Sequence, residues 1–275
     1  MGIILKEQES RMIGSLIKNS CLDVVDSARA WRLWSKFAWH DMIARYRRSW
    51  IGPFWLVFTT AIFVTALSVV YSALFNMDLA TYLPFITIGI VIWGFISSVI
   101  SESGFTFVDA ESYIRQVRMN LFVFAFRVIW RNILVFAHQF LVALIVVLFF
   151  RTTEVRMLPF AILGLFLLLM QALWVTPLLA VLGTRYRDLQ PILANLLQVL
   201  FLVTPVIWSP ALLGSRRWIA DINPLTSLIA VVREPLLGSI PSVENYVVVM
   251  VVSLVGTITA MLVYGRFRYR IIFWL

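Results

Sequence analysis

Charged residues divide this 275-residue chain into six long apolar windows that contain no Asp, Glu, Lys or Arg. The windows are residues 51–75, 82–100, 132–150, 157–182, 189–213 and 246–264. A helix of about 20 residues crosses the hydrocarbon core of a bilayer, and lipid offers backbone groups no outside partner. The pattern therefore predicts an all-α integral membrane protein with six transmembrane helices.

The chain is predicted to divide into an N-terminal segment, residues 1–50, and a six-helix membrane domain, residues 51–275. The third span is predicted to begin before its window, near Leu121. Pro177 in the fourth window and Pro205 in the fifth each remove a backbone hydrogen bond, so a kink is expected at both. Such kinks either shape the packing of the bundle or act as hinges.

The last part of the N-terminal segment repeats apolar and basic residues with the period of a helix. At 100° per residue, residues 29–40 form one apolar stripe and an opposite basic stripe. The apolar stripe holds Trp31, Trp34, Phe37 and Ala38, and the basic stripe holds Arg29, Arg32, Lys36 and His40. We expect an amphipathic helix that lies in the membrane interface.

Two connecting stretches are long enough to hold structure of their own. Residues 101–120 contain helix formers at 110–118, with Asp109 positioned as their N-cap, which predicts a short helix. Residues 214–244 contain prolines around the apolar run 225–232, which is too short to cross a bilayer. This run is predicted to dip into the outer leaflet and return.

Composition and charge set the class of protein and the orientation of its spans. Apolar residues make up 61% of the chain, the mean hydropathy is +0.91 and the net charge is +9. With the N-terminus inside, sixteen Lys or Arg residues lie inside and five outside, so the positive-inside rule predicts that both termini are cytoplasmic. Because these charges cluster at the ends of spans, they favour anionic lipid or an anionic lipid-linked substrate over nucleic acid.

Several kinds of chemistry are missing from the sequence. The six windows contain no carboxylate to relay protons or hold a coupling cation, which argues against a secondary transporter. The chain has no Gly-Lys pair and hence no Walker phosphate loop, so any ATP must bind to another subunit. His40, His138 and Cys21 lack metal-ligand spacing, and we expect no metal site, catalytic site or cofactor on this chain.

One face of the third span carries polar residues and allows two interpretations. Arg127, Arg131, Leu134 and His138 share this face because they are spaced by four, three and four residues. Either the arginines reach the inner headgroups and His138 bonds between helices, or the face is a polar strip along a pathway.

The aromatic residues of the spans are equally ambiguous. Trp93, Phe95 and Trp174 either belong to interfacial belts or line a conduit in which ring faces stack on sugars. Their positions in the sequence do not decide between the two.

Three stretches of the sequence resemble a known family. They are "HDMIARYRRSWIGPFW" at 40–55, "GTRYRDLQPILANLLQVLFLVTPVIWSP" at 183–210 and "INPLTSLIAVVREPLLG" at 222–238. They resemble the transmembrane subunit of bacterial ABC transporters that export polysaccharides. O-antigen permeases look closest, with capsule and teichoic-acid permeases as relatives, and the resemblance covers roughly residues 35–265.

The resemblance implies an amphipathic interface helix, six spans, a cytoplasmic coupling helix between spans two and three, and re-entrant extracellular helices before span six. It also implies a homodimer in the bacterial inner membrane, completed by two copies of a separate subunit that uses ATP and Mg. The implied substrate is a polysaccharide linked through a diphosphate to an undecaprenyl-type lipid.

Three sets of site residues follow. The candidates for holding the diphosphate are Arg45, Arg47 and Arg48. Arginine suits phosphate oxygens because its donor fork is planar, although the same residues would also serve as a simple positive-inside anchor. The candidates for docking to the ATP-binding subunit are Asp109, Glu111, Arg115 and Arg118. The candidates for lining the polymer conduit are Trp93, Phe95 and Trp174.

Other functions stay open at the level of sequence. The family also includes exporters of capsule polysaccharide and teichoic acid, and a relative could carry a drug or a lipid. A basic, acid-poor bundle also fits an ATP-independent pore or lipid scramblase. An intramembrane glycosyltransferase would need acidic residues at the membrane face, and we assign the available cluster, Glu102, Asp109 and Glu111, to subunit docking instead.

Overall fold

The computed structural model describes residues 2–47, 49–117 and 119–275, together with their side chains except those of residues 2–13 and 15. These residues form α-helices and short 3-10 turns, and no strand. The α-helices are α1 (Gly2–Arg29), α2 (Trp31–Tyr46), α3 (Trp55–Leu74), α4 (Leu79–Ser103), α5 (Glu111–Gln116), α6 (Phe122–Phe150), α7 (Leu158–Arg185), α8 (Leu189–Val203), α9 (Trp218–Ile222), α10 (Pro224–Leu236), α11 (Val243–Phe267) and α12 (Ile271–Trp274).

Five helical segments are long and apolar enough to cross a membrane. They are Gly52–Leu74, Leu79–Ser103, Phe122–Phe150, Val155–Arg185 and Val243–Phe267. Their mean hydropathies lie between 2.0 and 2.7, because each contains at most two charged residues over a membrane-length stretch. Five of the six predicted spans are therefore confirmed, including the early start of the third, and the chain is a multi-pass membrane protein.

The fifth predicted window, 189–213, is not one continuous helix. Helix α8 has 15 residues and spans about 23 Å at 1.5 Å per residue, short of a hydrocarbon core of about 30 Å. It ends at Val203, as expected from the proline at position 205, which lacks an N–H and clashes with the preceding turn. A 3-10 helix follows at Pro210–Arg216. By contrast, α7 continues through Pro177.

The break after α8 is held by side chains of α4, of α10 and of the residue that caps α10. The Tyr82 hydroxyl donates to the carbonyl of Ile207 at 2.6 Å, and the Arg233 guanidinium donates to the carbonyl of Pro205 at 2.7 Å. Asn223 donates to the Thr204 hydroxyl at 2.8 Å. Arg233, which the charge count assigned to an outer loop, is only 5% exposed. The carbonyls of Pro205 and Ile207 are thus paired inside the protein, as a low-dielectric environment requires.

Helix α10 is a short helix packed among the long ones. Its 13 residues span about 20 Å, and it contacts α7, α11 and α4. Asn223 caps its start by accepting the N–H of Leu225 at 3.0 Å. A Cβ at Gly164 of α7 would overlap the carbonyl oxygen of Val231, so glycine is required for this close approach. The prediction of a helix too short to cross at 225–232 is confirmed; its re-entrance stays a prediction.

The N-terminal segment is more helical than predicted and packs against the bundle. Trp34 stacks on Phe126 of α6 with ring centroids 5.6 Å apart, and Ala38 is fully buried. Trp31 lies on the same predicted stripe but is 55% exposed. The apolar stripe of α2 therefore packs mainly on α6, and this face is covered by protein as well as by lipid.

Helix α1 packs against α11 and α6 at the same end of the bundle. Asp23 pairs with Arg268 at 2.6 Å, and Ser20 donates to the carbonyl of Met261 at 2.9 Å. Gly265 of α11 has no room for a Cβ beside Ser20 and the carbonyl of Leu16. Helix α1 and the end of α11 are therefore joined, and α2 and α12 lie at this one end of the bundle. Helix α5 lies there too, because it connects the end of α4 to the start of α6 and packs on α2 through Tyr113 and Phe37.

Candidate functional site

Five charged side chains meet where α2, α4 and α6 come together. Asp41 and Arg45 lie on α2, Glu102 lies in the last turn of α4, and Arg127 and Arg131 lie in the first turns of α6. We call these five residues the charge network. Helices α2 and α6 each supply two charged residues from one face, because Asp41 and Arg45, like Arg127 and Arg131, are four residues apart. Helix α4 supplies Glu102 alone.

Arg127 and Asp41 form the closest pair in the charge network. The Arg127 Nε atom lies 2.7 Å from Asp41 Oδ2, and its Nη2 atom lies 2.6 Å from Oδ1. This bidentate geometry is the strong form of an arginine–carboxylate contact. The Arg127 guanidinium also lies 5.7 Å from the centre of the Phe37 ring, which covers it from the side of α2.

Arg131 joins the two carboxylates of the charge network. Its Nη1 atom lies 3.1 Å from Asp41 Oδ2, and its Nη2 atom lies 2.9 Å from Glu102 Oε2. Asn132 donates a further hydrogen bond to Glu102 Oε2 at 2.8 Å. Arg45 completes the set from outside, with Nη2 at 3.2 Å from Glu102 Oε1.

Burial and charge are uneven across the charge network. The side chains of Asp41, Glu102, Arg127 and Arg131 are 14–24% exposed, whereas that of Arg45 is 50% exposed. Three guanidinium groups against two carboxylates leave one formal positive charge in excess. Arg45 makes one ion pair and is half exposed, so the part of the charge network around Arg45 can attract an anion.

The charge network corrects several interpretations made from the sequence. Arg127 and Arg131 do not reach for headgroups; they pair with carboxylates inside the protein. Glu102 was assigned to subunit docking, but its carboxylate faces Arg131 and Arg45. His138 bonds within its own helix, its Nδ1 atom 2.7 Å from the carbonyl oxygen of Leu134.

Asp41 was not singled out from the sequence at all. Its partners Arg127 and Arg131 are 86 and 90 residues away, so no local period marks the pairs. The available signal was the matching four-residue spacing of Asp41 with Arg45 and of Arg127 with Arg131.

The arginines at 45–48 are only partly described. Arg45 belongs to the charge network, and Arg47 is the exposed residue directly after α2. Arg48 lies outside the described residues. The next aromatic residue, Trp50, is 99% exposed.

The predicted docking helix is shorter than expected. Helix α5 covers Glu111–Gln116, and Ala110 occupies its N-cap position with no side-chain hydrogen bond. The prediction that Asp109 caps this helix is therefore wrong, because Asp109 stands one residue too early. Glu111 and Arg115 form an exposed intrahelical pair with Nε and Oε1 2.7 Å apart, and Arg118 lies outside the described residues.

The segment before α5 lies close to the charge network. Partial burial raises the pKa of the Asp109 carboxyl, and the positive charges of Arg131 and Arg127 oppose that rise. Tyr113 of α5 packs on Phe37 with ring centroids 5.8 Å apart. The predicted docking segment and the charge network are thus neighbours.

Trp93 lies in an open groove between α3, α4, α6 and α8, with a volume of about 660 Å³. We call this the lateral groove. Its polar side chains are Thr59, Thr60, Gln139 and Gln198. Phe201 packs beside Trp93 with ring centroids 5.5 Å apart. Hydroxyl groups and amides that both donate and accept hydrogen bonds therefore lie beside aromatic rings in this groove, although Trp93 itself is only 9% exposed.

Phe95 and Trp174 lie elsewhere. They line a separate space of about 210 Å³ between α4, α7, α10 and α11, which we call the internal cavity. Phe95 is 3% exposed and packs on Phe136 with ring centroids 5.0 Å apart. The structure therefore does not bring the three predicted conduit residues together: Trp93 faces the lateral groove, and the other two face the internal cavity.

Comparison with known proteins agrees with this architecture. The sequence pattern of the family described as ABC-2 type transporter matches residues 33–237. The O-antigen export system permease protein RfbA of Klebsiella pneumoniae is 21% identical over 247 residues, 84% of this chain and 90% of that protein. The protein of the same name from Myxococcus xanthus is 24% identical over 194 residues, 68% of this chain and 74% of that protein. The whole charge network falls within the matched residues.

Replacing Asp41 with Asn tests the charge network. The change leaves Arg127 without a charged partner and Arg131 with Glu102 alone, in a largely buried site, and we expect the free energy of unfolding to fall by roughly 3 kcal/mol. The midpoint of thermal unfolding of the purified protein in detergent measures the loss.

Asp26→Asn is the matched control for this variant. Asp26 pairs with Arg29 at 3.9 Å, with the two side chains 65% and 79% exposed, and such pairs contribute little. Equal unfolding midpoints for Asp41→Asn and Asp26→Asn would contradict a structural role for the charge network.

Proposed function

Because the chain belongs to the ABC-2 type transporter family of membrane proteins, we propose that it is the membrane subunit of an ATP-driven polysaccharide exporter. The family match carries the proposal, and the two relatives named as O-antigen export permeases suggest the cargo. The cargo would be an O-antigen linked through a diphosphate to an undecaprenyl-type lipid. A homodimer of this chain would work with two copies of an ATP-binding subunit, which uses ATP and Mg.

The proposed location is the bacterial inner membrane, with both termini in the cytoplasm. Helices α2, α5 and α12 would then face the cytoplasm, and α8 with the segment that follows would complete a sixth crossing. Helix α10 would be re-entrant from the outer side. The burial of Arg233 supports this orientation, because it leaves one fewer exposed basic residue in the loops proposed to lie outside.

The lateral groove is the proposed path for the sugar chain. A hydrated polymer needs hydrogen-bonding groups without strong charges, together with flat apolar surfaces on which pyranose faces can stack. Thr59, Gln139 and Gln198 supply the first, and Trp93 and Phe201 supply the second. The groove is open along one side of the chain, so a second copy could close it into a conduit.

The half-exposed end of the charge network is the proposed contact for the diphosphate. Arg45 uses one nitrogen on Glu102 and keeps further donors free. Arg47 is exposed two residues later. The excess positive charge of the charge network would favour an anion at this position.

Depleting the chain in its source bacterium tests the export function. We expect the surface polysaccharide to disappear and its lipid-linked form to accumulate at the cytoplasmic face of the inner membrane, measured by staining of extracted glycolipids. Re-expression together with the ATP-binding subunit should restore export, whereas a partner variant that cannot hydrolyse ATP should not. Restoration by the inactive partner would indicate an ATP-independent pore, and unchanged surface polysaccharide after depletion would exclude this cargo.

Exchanging the charges of α5 tests docking to the ATP-binding subunit. The double variant Glu111→Arg with Arg115→Glu retains the intrahelical pair, now reversed, so the helix keeps its own stabilising contact. The surface offered to a partner is inverted. We expect co-purification of the ATP-binding subunit and substrate-dependent ATP hydrolysis to fall about ten-fold, as for a loss of about 1.4 kcal/mol in binding.

The matched exchange Glu154→Arg with Arg156→Glu lies at the opposite end of the bundle, where another exposed pair stands 2.5 Å apart. This control should leave co-purification unchanged. Equal behaviour of the two exchanged proteins would refute docking through α5.

Lysine substitution distinguishes a diphosphate contact from a membrane anchor. In Arg45→Lys, Arg47→Lys and Arg48→Lys the positive charge stays, so an anchor would work as before. A bidentate phosphate contact would be lost, and we expect at least one variant to export about ten-fold less at an unchanged protein level. Arg29→Lys, at an exposed pair, is the control. Normal export in all three variants would leave these arginines with an anchoring role only.

A further inference from the structure

The internal cavity is a distinct feature that the proposed export path does not use. Its walls come from α4, α7, α10 and α11, and its volume is about 210 Å³. The lining is apolar except for Gln171 and the indole N–H of Trp174, among the described residues that surround it. Among the lining residues, Leu168 and Ala172 are fully buried and Val99 is 4% exposed, whereas Ile100 and Leu225 are half-buried and Pro224 is exposed, so the cavity is partly open.

The polar groups of the internal cavity bond to one another and to neighbouring helices. The Gln171 amide donates to the Ser253 hydroxyl at 2.6 Å and to the carbonyl of Leu167 at 3.1 Å. Its carbonyl oxygen accepts the Trp174 indole N–H at 2.8 Å. A buried water needs two to four polar partners, and these groups are already satisfied. The space is therefore suited to an apolar occupant.

A second groove lies on the outer side of the same wall. It runs between α7 and α11 with a volume of about 390 Å³, and we call it the outer groove. Trp174 and Val252 line both the outer groove and the internal cavity. Val251 and Val255, which also line the outer groove, are 52% and 57% exposed. Trp174 and Val252 thus stand between the internal cavity and the outer groove.

A glycine of α11 allows Trp174 to lie between the internal cavity and the outer groove. A Cβ at Gly256 of α11 would overlap the Trp174 indole, so the ring rests directly on the α11 backbone. Rotation of one indole, or displacement of the Val252 side chain, would connect the outer groove to the internal cavity.

The environment determines which apolar occupant is available. In a bilayer, acyl chains surround the protein, and an empty cavity loses dispersion contacts that an alkyl chain would restore. An apolar protein cavity of about 150 Å³ accepts a molecule the size of benzene, so the internal cavity has room for the end of an alkyl chain. Gln171 and Trp174 lie near the middle of the 28 residues of α7, at the depth where acyl chains end.

We propose that the internal cavity binds the terminal part of one acyl chain of a membrane phospholipid, admitted from the outer groove past Trp174 and Val252. The chain end fills the space between α10 and the long helices, and the headgroup stays in the lipid outside. This site is independent of the polysaccharide and of the diphosphate contact, since it shares α4 but no lining residue with the lateral groove and contains no residue of the charge network.

Photolabelling of the full chain in vesicles tests this site. The vesicles contain phosphatidylethanolamine, phosphatidylglycerol and a small share of a phosphatidylcholine with a diazirine near the end of one acyl chain. After irradiation, mass spectrometry of peptides should find label on the inward-facing residues Leu168 and Val99 as well as on exposed residues such as Leu254.

Two variants and one control make the result specific. Val252→Phe narrows the opening and Ala172→Val reduces the space, and each should lower labelling of Leu168 about ten-fold, which corresponds to about 1.4 kcal/mol of binding. Leu254→Phe adds the same ring as Val252→Phe at a position that is 63% exposed and lines neither space, and it should leave that labelling unchanged. Label confined to exposed residues in the unaltered protein, or undiminished labelling of Leu168 in both variants, would overturn the proposal.

Discussion

A guanidinium group near a bilayer must keep its hydration or find charged partners, because burial without either costs several kcal/mol. Helix α6 carries two such groups in its second and third turns, Arg127 and Arg131, which are 20% and 14% exposed. Their partners come from two other helices, so satisfying the charges also fixes α2 and α4 against α6. The arrangement of this end of the bundle depends on that pairing, including the position of Arg45 in the last turn of α2 and of Arg47 directly after it.

The same constraint operates at the other break in regularity. When α8 ends at Val203, the carbonyls of the following residues lose their helical partners in a region that water does not reach. Arg233 and Tyr82 supply replacement donors. Arg233 can do so only because α10 lies deep among the spans, where the close contact at Gly164 allows it to approach α7. The short helix α10 and the break after α8 therefore stabilise each other through Arg233.

Features set by local sequence were predictable, and features set by distant pairs were not. The five confirmed spans follow from uninterrupted apolar runs, which depend on composition over about 20 neighbouring residues. The end of α8 follows from Pro205 in the same way. The partners of Arg127 and Arg131 could not be predicted, because Asp41 lies 86 residues from Arg127 and Glu102 lies 29 residues from Arg131. Asp109 failed as a cap by a single residue, within the usual uncertainty of helix ends.

Arg45 connects this pairing with the function that the chain is proposed to perform. Its guanidinium bonds Glu102 Oε1 alone, whereas Arg131 and Asn132 bond Glu102 Oε2. An anion that binds Arg45 competes for the first contact and leaves the other two in place. The bond between α4 and α6 then persists, as does the bidentate pair of Asp41 with Arg127 that joins α2 to α6. Loosening is therefore confined to the last turn of α2, next to the start of α3, while the body of α2 stays fixed to the bundle.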